Sequence, residues 1–270
     1  MKNLLTINDT ELFYRDWGKG QPIVFLAGWG FNSDAWCNSM LVLSKKGYRC
    51  IAFDRRGHGR SGDTGTGYDY DTLADDLNEL IKALKLENIV FVGSSMGCGE
   101  ITRYMSCHGS QNVKGAVFVG TATPLIRKSE DNPNGWDNAI LKQISGDIAS
   151  SLPAWLGKNI GPFFTPDTPQ EVKDWAVRMI LNGSLQAHIA CLATMTEADF
   201  RDELAAFDKP LLIIHGDQDV SHSLETSGQK TAELVPKSQL KVYKGGPNGL
   251  YLTHAEALVE DILAFVDSLS

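Results

Sequence analysis

Short apolar runs alternate with segments of helical periodicity along most of the chain. The runs are rich in valine and isoleucine, show no regular polar alternation, and lie at residues 22–26, 49–53, 89–92, 113–119 and 210–215. Continuous apolar runs of this length are typical of strands buried on both faces of a parallel sheet. Between them, leucines and isoleucines recur every three or four residues, as in the segment that we expect Asp71 to cap, and this spacing predicts helices.

The two ends of the chain complete this pattern. Residues 4–7 and 12–16 flank the turn residues Asn8 and Asp9, which predicts an opening hairpin. Near the other end, residues 240–243 are expected to form the last strand and residues 254–269 the final helix. Strands that alternate with helices through short loops predict an α/β protein with a mostly parallel, doubly wound sheet.

The alternation stops between residues 123 and 207. Six prolines interrupt helical patterns there, and the same stretch carries Trp136, Trp155, Phe163 and Phe164. We expect residues 1–122 and 208–270 to form the α/β core and residues 123–207 to form a helical cap inserted over the sheet. No linker-like composition separates the two parts, which favours a single domain.

Composition restricts the kinds of partner. The net charge of −8 disfavours nucleic acid or an anionic membrane, because like charges repel. No apolar run approaches the length of a membrane span, and the first residues lack the apolar core of a signal peptide. Five scattered cysteines indicate neither a disulfide framework nor a metal site, so a reduced, cytoplasmic protein is expected.

A glycine–serine motif follows the apolar run at residues 89–92. Residues 93–97 read G-S-S-M-G, and a helical pattern starts directly after them. A strand, a sharp turn with a central serine and a helix form the context of a nucleophile elbow. The pattern predicts Ser95 as the nucleophile, with the backbone amide of Met96 placed to stabilise an oxyanion. An ordinary strand–helix turn is the alternative.

Five motifs in order resemble the α/β-hydrolase family, and most closely its bacterial arylesterases, cofactor-free haloperoxidases and γ-lactamases. They are F-L-A-G-W-G (25–30), A-F-D-R-R-G-H-G-R-S (52–61), V-G-S-S-M-G (92–97), I-I-H-G-D-Q-D (213–219) and G-G-P-N-G-L-Y-L-T-H-A (245–255). The resemblance covers essentially the whole chain. It implies an α/β-hydrolase fold with a helical cap.

The resemblance assigns a role to several positions. Ser95 matches the nucleophile, and Asp219 matches the acid that follows the glycine at the end of its strand. Asp217 is the nearby competitor, which we expect only to shape the loop. The amides of Met96 and Trp29 match the two donors of the oxyanion hole.

One position departs from the family. The general-base histidine of the loop after the last strand is replaced by Asn248 in G-P-N-G. An amide does not take up a proton near neutral pH, so it cannot do the work of an imidazole. The departure is compatible with a natural member that has lost or rerouted the chemistry, and equally with a variant made to slow turnover.

The six histidines are the possible substitutes for this base. His222 lies only three residues after Asp219, and we expect that it would need an unusual loop to reach Ser95. His58, His215 and His254 occupy motifs in which a structural role is expected, and His108 and His188 have no motif context.

The sequence therefore predicts a cofactor-free serine hydrolase of carboxylic esters, lactones or related amides, in a nearly inactive form. The resemblance also implies a perhydrolase side activity. A small-molecule substrate, no metal, no nucleic acid, no membrane and possible homo-oligomerisation complete the expectation. The alternative is a non-catalytic protein that binds a small molecule on the same scaffold.

Overall fold

The computed structural model describes residues 3–269, and within this range the chain forms one eight-stranded sheet. The strands are β1 (Leu4–Ile7), β2 (Thr10–Trp17), β3 (Pro22–Leu26), β4 (Arg49–Phe53), β5 (Ile89–Ser94), β6 (Val113–Val119), β7 (Leu211–Gly216) and β8 (Ser238–Tyr243). Their order across the sheet is β1-β2-β4-β3-β5-β6-β7-β8. The strands β1 and β2 pair antiparallel, and β2 joins β4 antiparallel; all pairs from β4 to β8 are parallel. The predicted mostly parallel α/β sheet is confirmed.

Helices cover the sheet and fill the long connection between β6 and β7. They are α1 (Cys37–Lys45), α2 (Tyr70–Ala83), α3 (Met96–His108), α4 (Asn138–Asn159), α5 (Gln170–Leu181), α6 (Leu185–Glu197), α7 (Arg201–Ala205), α8 (Gly228–Leu234), α9 (Leu250–Thr253) and α10 (Ala255–Ser268). Between residues 3 and 269, none of them combines the length and the apolarity that a membrane crossing requires.

Some predicted boundaries are wrong in detail. The side chain of Asp69, not Asp71, caps α2 by accepting a hydrogen bond from the Thr72 amide. The last strand begins at Ser238, two residues before the apolar pattern starts, because backbone pairing with β7 continues over polar side chains at the sheet edge. The final helix begins at Ala255 after the short helix α9.

The residues of β3 show how the strands supply two cores. Val24 and Leu26 pack on one face of the sheet with α2 and α3, while Ile23 and Phe25 pack on the other with α1 and α10. All four side chains are almost fully buried. Burial on both faces explains why these strands lack polar alternation.

A buried ion pair joins the loop after β4 to the helix after β5. The guanidinium of Arg55 pairs with the carboxylate of Glu100 on α3, and both side chains are almost completely excluded from solvent. Arg55 Nη2 also donates to the carbonyl of Ala27 at 2.7 Å. Burial raises the pKa of the Glu100 carboxyl, and the positive charge of Arg55 acts against this rise. The pair therefore ties residues 27–28 to the helix that follows Ser95.

Glu100→Gln should lower the free energy of unfolding by about 3–5 kcal/mol, because it leaves the guanidinium of Arg55 buried without a counter-charge. Urea denaturation followed by circular dichroism measures the change. Lys82→Ala is the matched control, since it breaks the exposed pair with Glu79 and should cost below about 1 kcal/mol. Equal losses in the two variants would show that Arg55 does not depend on Glu100.

Candidate active site

Ser95 lies at the turn between β5 and α3 in a strained backbone conformation. Its φ is +49° and its ψ is −113°, and its amide donates to the carbonyl of Val119 at 3.1 Å. Neighbouring backbone passes so close that a Cβ on Gly97 would lie 2.7 Å from the carbonyl oxygen of Leu26. A positive φ at a non-glycine residue between a strand and a helix is the geometry of a nucleophile elbow.

His222 is the imidazole that reaches this serine. Its Nε2 lies 2.9 Å from Ser95 Oγ, and both side chains are buried, with 8% and 6% of their surfaces exposed. His222, which was expected to need an unusual loop to reach Ser95, does reach it. The reason is a tight turn after β7: the backbone amides of Ser221 and His222 both donate to Asp219 Oδ1 at 2.9 Å, which folds the chain back towards β5.

Asp219 and Asn248 are hydrogen-bonded to each other next to the contact between His222 and Ser95. The side-chain amide of Asn248 donates to Asp219 Oδ2 at 2.7 Å and approaches the carbonyl of Gly120 at 3.3 Å. Both side chains are buried. Asp217, in contrast, is exposed and accepts a hydrogen bond from the amide of Gly245. The structure thus brings Asp219 and Asn248 together and leaves Asp217 in the surface loop.

The protonation of His222 follows from its surroundings. Burial lowers the pKa of its imidazole to about 4; the carboxylate of Asp219 opposes this change and His215 adds to it. His222 is therefore neutral at pH 7. For Ser95 to donate its hydroxyl proton to Nε2, the neutral ring must carry its hydrogen on Nδ1.

The remaining five histidines are held by partners other than Ser95, and His215 also lies 3.4 Å from Asp219 Oδ2. Their hydrogen bonds join His58 Nδ1 to the carbonyl of Arg56, His108 Nε2 to Asp75, His188 Nε2 to the carbonyl of Ile180, His215 Nε2 to the carbonyl of His222, and His254 Nδ1 to the hydroxyl of Thr253. Burial lowers the pKa of His58 and of His188. A structural role fits each of these five.

The two predicted oxyanion donors belong to the residue after Ser95 and to the residue after Gly28, which lies close to Ser95. Met96 is the first residue of α3, so its amide lies at the helix N-terminus next to Ser95. Gly28, which precedes Trp29, lies close enough that a Cβ there would contact Ser95 Cβ at 3.3 Å. The indole of Trp29 is anchored on α6 by donating from Nε1 to the carbonyl of His188 at 2.7 Å. The oxyanion role of both amides stays a prediction.

An apolar pocket opens above Ser95. Its walls include Trp29, Phe31, Trp136, Ile144, Ile148, Trp155, Leu156, Phe163, Leu192 and Met195, and its floor includes Ser95, His222 and Asn248. Phe164, which the sequence groups with the other aromatic residues, is instead buried in the core. Among the described residues that line the pocket, none carries a carboxylate, an ammonium or a guanidinium group.

The sequence contains a signal for the turn that carries His222, but not for the direction of that turn. Residues 219–222 read D-V-S-H, and an aspartate can accept hydrogen bonds from the amides two and three residues later to make a compact turn. Nothing in the spacing alone says in which direction such a turn sends the following side chain.

Comparison with known proteins finds relatives that match nearly the whole chain. The chain is 38% identical over 266 residues to a non-heme haloperoxidase from Rhodococcus erythropolis, covering 96% of this chain and 97% of the relative. It is 34% identical over 277 residues to a bifunctional esterase/perhydrolase from Acinetobacter calcoaceticus, covering 99% and 100% of the two chains.

Solved structures give the same relationship. A bromoperoxidase from Bacillus anthracis matches with a TM-score of 0.93 and 36% identity, covering 96% of each chain. An esterase from Exiguobacterium antarcticum matches with a TM-score of 0.95 and 30% identity, covering 99% of this chain and all of the other. The family model for the alpha/beta hydrolase fold matches residues 21–255. The chain therefore belongs to the α/β-hydrolase family.

Proposed function

We propose that this protein is a cofactor-free serine hydrolase that cleaves small carboxylic esters, lactones or related amides. The observation that carries the proposal is the elbow serine at the floor of an apolar pocket, with its hydroxyl 2.9 Å from a neutral imidazole. The relatives named as esterase, perhydrolase and haloperoxidase support the same class of chemistry, and they motivate a test for perhydrolysis by hydrogen peroxide.

The proposed reaction proceeds through an acyl-enzyme. Ser95 Oγ attacks the carbonyl carbon, and the negative charge that develops on the carbonyl oxygen is stabilised by the amides of Met96 and Trp29. The alcohol leaves, and water then releases the acid from Ser95. A non-catalytic binding protein would keep the pocket but form no acyl-enzyme.

Residues 123–207 are proposed to act as the cap that selects the substrate. The aromatic side chains of Trp136, Trp155 and Phe163 come from this segment and face the same pocket as Ser95. Because no charged group in the described lining offers a counter-charge, an ionised substrate group would lose its hydration without compensation. The cap therefore favours uncharged acyl and alcohol groups.

Asn248 at the position of the family's histidine was the sole reason to expect a nearly inactive form. The contact between His222 and Ser95 weakens that reason, because it supplies a titratable ring to the nucleophile. We propose slow turnover rather than its loss, since an imidazole with a pKa near 4 is a weaker base than an ordinary histidine.

Ser95→Ala should lower the kcat for p-nitrophenyl acetate by about 10³-fold or more, because it removes the proposed nucleophile. Ser94→Ala should keep most of the activity. Steady-state and burst kinetics measure both effects. If Ser94→Ala lost its activity and Ser95→Ala kept it, the nucleophile would be Ser94. If the unsubstituted protein showed neither a burst nor turnover, a binding protein would be favoured.

The apolar pocket predicts discrimination against charge. The kcat/KM for the p-nitrophenyl ester of butyric acid should exceed that for the monoester of succinic acid by at least about tenfold, because the free carboxylate must be desolvated. The two acyl chains are of similar length, so size is controlled. Equal values would show that the acyl group remains in water rather than in the pocket.

A further inference from the structure

His222 is fixed against Ser95 by its own backbone as well as by its ring. Its amide donates to Asp219 Oδ1 at 2.9 Å, and its carbonyl accepts a hydrogen bond from His215 Nε2 at 2.7 Å. A carbonyl can only accept, so His215 carries its proton on Nε2. Because both backbone groups of His222 are bonded to buried side chains, the backbone that carries the ring is held in place next to the serine.

Asn248 contacts the acid and cannot act as a base. It donates to Asp219 Oδ2 and approaches the carbonyl of Gly120, but it offers no group that could accept and return a proton near neutral pH. In a serine–histidine–aspartate triad one imidazole contacts both the serine and the acid. Here Asn248 donates to the acid, His215 Nε2 lies 3.4 Å from the same oxygen of Asp219, and the contact with the serine belongs to His222.

We propose that His222 is the general base of this hydrolase and that Asn248 serves only to hold Asp219. This inference rests on the proposed hydrolysis at Ser95. Asp219 then acts as a positioning residue, because its carboxylate reaches His222 through the backbone amides of the turn.

The proton path closes with groups that the chain supplies. As Ser95 Oγ bonds to the carbonyl carbon, its proton moves to His222 Nε2 and the carbonyl electron pair moves to the oxygen. Collapse of this intermediate breaks the bond to the alcohol, which takes the proton from Nε2. Water repeats the cycle on the acyl-enzyme: its proton goes to Nε2, and the same proton returns to Ser95 Oγ as the acid leaves.

The charged and titratable groups around His222 set the pH range of this cycle. Asp219 belongs to the same turn, His215 lies on β7, and the facing groups from β5 and the loop after β8 are the uncharged Ser95 and Asn248. Burial is the largest effect and lowers the pKa of His222 to about 4. The ring is thus a competent acceptor above that pH, and activity should fall as the pH drops through it and Nε2 becomes protonated.

The test compares the unsubstituted protein with His222→Gln, with Ser95→Ala and with His108→Gln as the matched control. His108 is an imidazole bonded to Asp75 on α2, far from the nucleophile, so its loss should leave kcat/KM unchanged. Hydrolysis of p-nitrophenyl acetate is measured from pH 3.5 to 9, with circular dichroism at each pH to verify folding. His222→Gln should lower kcat/KM by about 10²- to 10⁴-fold with little change in KM.

The pH profile and chemical rescue separate a base from a structural residue. The unsubstituted protein should show a plateau through neutral pH and an acidic limb with an apparent pKa near 4. His222→Gln should lack that limb, and added imidazole should restore activity to His222→Gly but not to Ser95→Ala. Added imidazole can replace a missing base, but it cannot repair a turn that has lost its shape.

Two results would overturn the inference in distinguishable ways. If His222→Gln retained full activity while Ser95→Ala was inactive, the hydrolase would stand and its base would be another group. An acidic limb near pH 6.5 that persisted in His222→Gln would lead to the same conclusion. If the unsubstituted protein showed no hydrolysis dependent on Ser95, the proposed function and the role of His222 would fail together.

Discussion

The buried carboxylate of Asp219 is the constraint on which the arrangement of the site depends. A carboxylate removed from water must be satisfied by hydrogen bonds, or its burial is strongly unfavourable. Here the donors come from the turn after β7, through the amides of Ser221 and His222, and from the loop after β8, through Asn248. Satisfying one buried charge therefore fixes two loops at once, and this places an imidazole beside Ser95.

The fold could be predicted because its signals are local and repeated. Apolar runs of strand length, helical spacing between them and five motifs in order specify the parallel sheet, and Val113–Val119 was predicted to the residue. The elbow was also predictable, since a Cβ on Gly97 would collide with the backbone of Leu26, and a Cβ on Gly93 would collide with the first turn of α3. Helix starts were less certain because several acidic residues near α2 can serve as caps, and Asp69 rather than Asp71 does so.

The partner of the serine could not be predicted by the same means. The motif resemblance directs attention to position 248, where it implies a histidine, and it gives no information on a ring that comes from another loop. His222 reaches Ser95 because two consecutive amides bind one oxygen of Asp219, and the direction of that turn is set by tertiary burial. Asparagine at position 248 therefore does not leave the serine without an imidazole, because the turn after β7 brings His222 to it.

The most direct measurement is a crystal structure of the protein after reaction with a p-nitrophenyl alkylphosphonate, whose phosphonyl group mimics the tetrahedral intermediate. We predict phosphorus bonded to Ser95 Oγ, the phosphonyl oxygen facing the amides of Met96 and Trp29, and His222 Nε2 within hydrogen-bond distance of the serine oxygen. Asn248 should remain on Asp219. An adduct in which His222 has moved away and another imidazole or Asn248 contacts the serine oxygen would contradict the account.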